Sequence, residues 1–140
     1  MATYCSLDDV KLRIGSTEQY EMLTNDNDTL TNSVITHIDN YMRERFALSY
    51  NPISLEGSYE VQSYATELVY CYLLNRRQFD GIELKFGKGQ YERCENAKRW
   101  LEDAARGKFD IVVDGSIIEK TKSRYVFNIS NNNTRVFDDE

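Results

Sequence analysis

The chain has one proline, one histidine and three cysteines in 140 residues. A single proline and a 41% hydrophobic share exclude the proline-rich, low-hydrophobicity composition of disordered chains. One histidine, His37, leaves no second imidazole for a zinc site or for a histidine-based catalytic relay, and no acid nearby in sequence is spaced to orient it. Cys5, Cys71 and Cys94 are odd in number and lack a C-x-x-C spacing, so they read as small reduced hydrophobes in a cytosolic setting, without a disulfide or a metal role. Basic residues are also short: 17 lysines and arginines against 23 acids leave a net charge of −6. That balance speaks against sequence-independent nucleic-acid binding, which needs a basic surface to displace phosphate counterions. The deficit is local, since residues 1–60 hold 10 acids and 4 bases, which is already −6.

Uninterrupted hydrophobic runs are scarce as well. The closest is Tyr59 to Arg77, YEVQSYATELVYCYLLNRR, with Glu67 at its middle and four tyrosines. No second such segment exists, and no membrane span is expected. Nor does the start, MATYCSLDDVK, have the basic and apolar regions of a signal peptide. Wound at 3.6 residues per turn, Val61, Tyr64, Ala65, Leu68, Val69, Cys71, Tyr72, Leu73 and Leu74 leave almost no polar stripe, which predicts a central helix enclosed by neighbours. Ser58 is its expected N-cap.

Around that helix the rest falls into order. Ser6 with Asp9 reads as a capping box ahead of a short helix that Gly15 ends. A second short helix is expected over Glu18–Leu23, then a polar loop through Asn25, Asp26, Asn27 and Asp28. Helical spacing returns from Thr29 to Phe46, with an Asp39–Arg43 pair at i,i+4. An ordered loop with Pro52 follows, and another loop is expected from Gln78 to Gly89. The last helix is predicted over Tyr91–Arg106, with Tyr91, Cys94, Ala97, Leu101 and Ala104 inward and Trp100 at the edge. Leu68, Tyr72 and Leu101 are expected in the core.

Past Gly107 the period becomes alternating. Asp114-Gly115, between Phe109-x-Ile111-x-Val113 and Ser116-Ile117-Ile118, predicts a hairpin, and Tyr125, Phe127 and Ile129 alternate again. The expected fold is therefore mainly α: a small bundle of four to five helices over residues 1–107, with a C-terminal β-hairpin and extended arm over 108–140. No catalytic constellation, cofactor motif or metal spacing stands out. Phe86-Gly87-Lys88-Gly89 lacks the spacing of a phosphate-binding loop, so a non-enzymatic protein without cofactors is expected.

Three segments resemble the head-tail connector proteins of tailed bacteriophages, the head-completion or adaptor subunits that dock beneath the portal. Tyr4 to Gly15 is similar to the family's opening helix and its R-(F/I)-G turn. Ile38-Asp39-Asn40-Tyr41-Met42-Arg43-Glu44-Arg45-Phe46-Ala47-Leu48 resembles its I-D-x-Y-L-x-x-R-Y-x-L helix end. Tyr91 through Trp100-Leu101 to Gly107-Lys108 is similar to its last helix. The glycine-rich stretch 81–89 and the long C-terminal arm depart from a minimal member and leave adaptor, stopper or tail-completion position open.

The resemblance implies a structural virion protein of the neck, assembled in the host cytoplasm. It would form a homo-oligomeric ring, dodecameric in the family, on the portal protein and contact the next neck or tail-completion protein. Genomic DNA would pass through the lumen without specific binding, and no membrane is involved. Tyr125, Phe127, Ile129 and Phe137 are the expected contacts to a neighbouring subunit or neck protein. The competing reading is a stand-alone cytosolic helical regulatory or interaction module.

Overall fold

The computed structural model describes residues 3–78 and 88–121, and within them the protein is a helical bundle with a small antiparallel hairpin. The order is α1 (Leu7–Ile14), α2 (Thr17–Thr24), α3 (Asp28–Phe46), a 3₁₀ turn (Pro52–Leu55), α4 (Tyr59–Gln78), α5 (Lys88–Ala105), β1 (Val112–Val113) and β2 (Ser116–Ile117).

The starts of α1 to α4 follow from side chains that satisfy backbone N–H groups the helix itself leaves unpaired. The Ser6 hydroxyl accepts from Asp9 N at 3.2 Å while the Asp9 carboxylate accepts from Ser6 N at 2.9 Å, the reciprocal box expected. Ser16 caps α2 and Ser58 accepts from Val61 N at the start of α4. The polar run after α2 is shorter as a loop than its composition suggests, because it is spent on caps. Asn25 ends α2 in the left-handed conformation at φ 55°, and Asn27 caps α3 through Leu30 N. At the far end, Gly107 at φ 74° closes α5, with Gly107 N bonded to Ala104 O and Lys108 N to Asp103 O in a Schellman arrangement.

α4 is the central element, packed by α1, α2, α3 and α5. Val61, Ala65, Leu68, Val69, Cys71, Leu73 and Leu74 are buried, and Leu101 meets them from α5. Two inward assignments are corrected. Tyr72 is 42% exposed and lies against the His37 ring, 5.4 Å between centroids. Tyr91 is 70% exposed; the inner face of α5 runs instead through Gln90, Cys94, Ala97, Leu101 and Ala104, with Trp100 buried beside it. A polar residue holds the position that hydrophobicity assigned to its neighbour. α5 also starts earlier than expected, so Gly89 lies in its first turn.

The hairpin pairs Val112 with Ile117 and Val113 with Ser116. Asp114 and Gly115 form its turn at φ 50° and 82°, the positive pair that a type I′ turn requires. Its base is fastened to the core and to the loop after α3. Ile111 is fully buried, the Tyr50 hydroxyl donates to Phe109 O, and Thr121 N donates to Ser49 O at 2.7 Å. The expected strand through Tyr125, Phe127 and Ile129 lies outside the described residues, as do most of the loop before α5 and Phe137.

Two carboxylates in the first turns of helices, Asp9 and Asp28, make stability depend on pH. Burial acts to raise the Asp9 carboxyl, but bonds from Gln62 and Ser6 outweigh it and hold it below the ordinary value. The Tyr20 hydroxyl, opposed by burial and helped by Lys11, lowers Asp28 likewise. A carboxylate depressed by folding stabilises above its unfolded pKa of about 3.9, and that contribution is lost as pH falls through the folded value. Urea midpoints should therefore hold between about pH 7 and pH 5 and fall below about pH 4. Asp9→Asn should flatten part of that acid limb; an unchanged slope would show that Asp9 contributes nothing to it.

Candidate functional site

Two residue pairs at i,i+4 spacing face each other across the central and last helices. Glu67 and Cys71 project from α4, and Gln90 and Cys94 from α5. Their Cα atoms meet closely enough, 5.7 Å for the cysteines, that Cys71 and Cys94 are joined by a disulfide. The expectation of three reduced thiols is thus corrected. A sequence separation of 23 carries no signal for such a pair, because only the antiparallel packing of α4 on α5 brings it together. Cys5 alone stays free; burial pushes its thiol up to about 11 and keeps it protonated.

Arg13, in the last turn of α1, completes the cluster. Its Nε donates to Glu67 Oε1 at 2.7 Å and its Nη2 to Glu67 Oε2 at 3.1 Å, a bidentate pair. The same Nη2 donates to Gln90 Oε1 at 2.8 Å, and the guanidinium lies over the Tyr70 ring at 4.6 Å. Gln90 Nε2 in turn donates to Glu67 Oε2 and stands 3.7 and 3.6 Å from the two sulfurs. The carboxylate thus accepts from Arg13 on both oxygens and from Gln90 on Oε2. One donor oxygen of Glu67 and both sulfurs lie within 4.8 Å of one another. Sequence reading found none of this grouping: Glu67 appeared only as a charge inside an apolar helix, and Gln90 fell between the loop expected to end at Gly89 and the helix expected to start at Tyr91.

A second cluster gathers the segments that carry the connector resemblance. Tyr4 N donates to Asp39 Oδ1 at 2.8 Å, and the Asp39–Arg43 pair forms as expected at 2.8 Å. Arg43 also pairs with Glu56 at 2.9 Å and lies over the Tyr4 ring. Phe46 packs edge-on against Tyr4, Tyr50 and Trp100. Trp100 stacks on Tyr64 at 4.2 Å and donates through Nε1 to Glu60. Glu102 pairs across the bundle with Arg45.

The surface carries a third feature. Leu12 and Tyr59, each 80% exposed, flank an open groove between α1 and α4 that Asp9, Arg13, Gln62 and Thr66 also line. Val112 and Ile117 of the hairpin are exposed too. Tyr125, Phe127, Ile129 and Phe137 cannot be placed beside this surface, since they lie outside the described residues.

No family model, curated protein or solved structure matches the chain. Among the described residues, no helix is long and apolar enough to cross a membrane.

Proposed function

We propose that the protein is a structural, non-enzymatic subunit of a phage neck: an adaptor that assembles as a ring on the portal, extends the DNA channel and joins head to tail. The observation that carries this reading is the joint formed by Tyr4, Asp39, Arg43, Phe46 and Trp100. These residues come from the three separate segments that resemble connector proteins, and they meet in one aromatic and ionic cluster. The excess of acids in the first 60 residues also suits a channel wall, where like charge keeps DNA from adhering. Exposed Leu12 and Tyr59 supply apolar area for a neighbouring subunit.

The test uses the full chain and a version ending at Thr121, which retains the Thr121–Ser49 bond. Sedimentation should show the full chain forming rings by itself or on portal, and particles made with it should join tails. The truncated chain should keep its melting temperature yet fail to assemble into tailed particles. A full chain that stays monomeric with portal present, and is absent from virions, would sink the neck reading. A truncated chain that melts much lower in isolation would sink the intersubunit role of residues 122–140.

A further inference from the structure

Glu67, Cys71 and Cys94 offer one donor atom each within 4.8 Å, on two helices whose mutual position the whole bundle fixes. We propose that, once the Cys71–Cys94 bond is reduced, these three side chains form a site for a soft divalent cation of the zinc class. The proposal stands independently of the neck reading.

The donor chemistry selects the metal. Two thiolates and a carboxylate suit zinc or cobalt; calcium and magnesium demand all-oxygen cages, and iron–sulfur clusters need four cysteines. Three protein ligands leave the fourth tetrahedral position to water. Two sulfurs on a shared zinc, each about 2.3 Å from it, stand about 3.8 Å apart. Cα atoms 5.7 Å apart leave that spacing within reach of rotation about the two Cα–Cβ bonds.

Charge gives the second argument. In the oxidised protein Glu67 is balanced by Arg13. An external dithiol delivers two electrons and two protons to the disulfide, becoming a cyclic disulfide itself, and leaves two neutral thiols; the balance is unchanged. A zinc ion then displaces both thiol protons to solvent. Two thiolates, one carboxylate, Zn²⁺ and Arg13 again sum to zero. Burial of both sulfurs opposes thiolates without a metal, and Arg13 offsets the one charge by which three anionic ligands exceed the cation. Gln90, already within 3.7 Å of both sulfurs, supplies an amide N–H that can donate to a metal-bound thiolate. Thiol exchange elsewhere does not interfere, since the Cys5 thiol is buried and protonated.

The full chain would be reduced anaerobically with a dithiol, freed of it, and titrated with Co²⁺ and then Zn²⁺ against a chromogenic chelator. One cobalt per chain, with the charge-transfer band of cobalt thiolate and the intense visible bands of tetrahedral geometry, is expected for the reduced protein and not for the oxidised. Zinc should raise the melting temperature of the reduced protein alone. Cys71→Ser, Cys94→Ser and Glu67→Gln each remove a ligand and should weaken binding by at least about tenfold, the least that loss of even an outer partner of a ligand costs, with the two cysteine variants also losing the charge-transfer band of a two-thiolate site. Circular dichroism of each variant checks that the helices persist. Reduced protein without the cobalt–thiolate band, or zinc held equally by oxidised protein or by Cys94→Ser, would overturn the site. The wild-type comparison of the two redox forms decides the question even if a variant fails to fold.

Discussion

Replacing Phe46 by alanine should cost about 3–5 kcal/mol, the range for a fully buried aromatic whose removal leaves a cavity. Phe46 is fully buried at the end of α3 and makes three edge-to-face contacts, at 5.8 Å to Tyr4, 6.4 Å to Tyr50 and 6.0 Å to Trp100. Those rings come from the N-terminal segment, the loop after α3, and α5. None of them can close over the vacancy without abandoning another partner, so relaxation is limited. Each edge contact adds about 0.5–1.5 kcal/mol beyond area burial, which places the loss toward the upper end. Leu48→Ala, two residues on and largely exposed, should change stability by less than about 0.5 kcal/mol. Denaturant melts of the two variants decide it; a Phe46→Ala loss below about 1 kcal/mol would mean the aromatic joint holds little together.

Asp39→Ala should be comparably damaging, about 3–5 kcal/mol, for a different reason. The carboxylate is nearly buried and accepts from Tyr4 N and from Arg43 Nε, each at 2.8 Å. Truncation leaves the Tyr4 N–H without its acceptor and takes one of two carboxylates from a guanidinium that is itself mostly buried, with Glu56 remaining. Asp39→Asn keeps an oxygen for Tyr4 N while removing the charge, and should fall between wild type and alanine. In a double-mutant cycle, Arg43→Met on the Asp39→Ala background should cost less than on wild type, because no buried cation is then left short of a partner. Strict additivity would show that the two residues do not act as a unit.

The parts of this fold that were legible are those written in local chemistry. Ser6 with Asp9, Gly15, Ser58, Gly107 and the Asp114-Gly115 turn each act through a bond or a φ value confined to a few residues, and each sits where its sequence neighbourhood put it. The inner face of α5 was read correctly from Cys94 to Ala104 and missed only at its start, where hydrophobicity favoured Tyr91 over Gln90. Gln90 is buried through partners on α1 and α4 that no window around residue 90 contains. The disulfide and its surroundings were hidden for the same reason: Arg13, Glu67 and Cys94 become neighbours only after three helices have packed. The outward face of Tyr72 escaped notice because a tyrosine counts as apolar in a periodicity argument, yet it rests beside exposed His37 with much of its ring in water.

Trp100 is the chain's lone tryptophan. It is buried on α5, stacked on Tyr64 of α4, edge-on to Phe46 of α3 and 5.9 Å from Phe109 ahead of the hairpin. The one indole thus reports on the contacts of the last helix with α3, with α4 and with the segment that leads into the hairpin. Its emission should be blue-shifted in the folded protein and shift red as any one of those contacts opens. Loss of the Glu60 bond at Nε1 would be felt by the same indole. The protein therefore carries its own optical gauge of domain integrity, and unfolding, truncation or assembly can be followed without attaching a label.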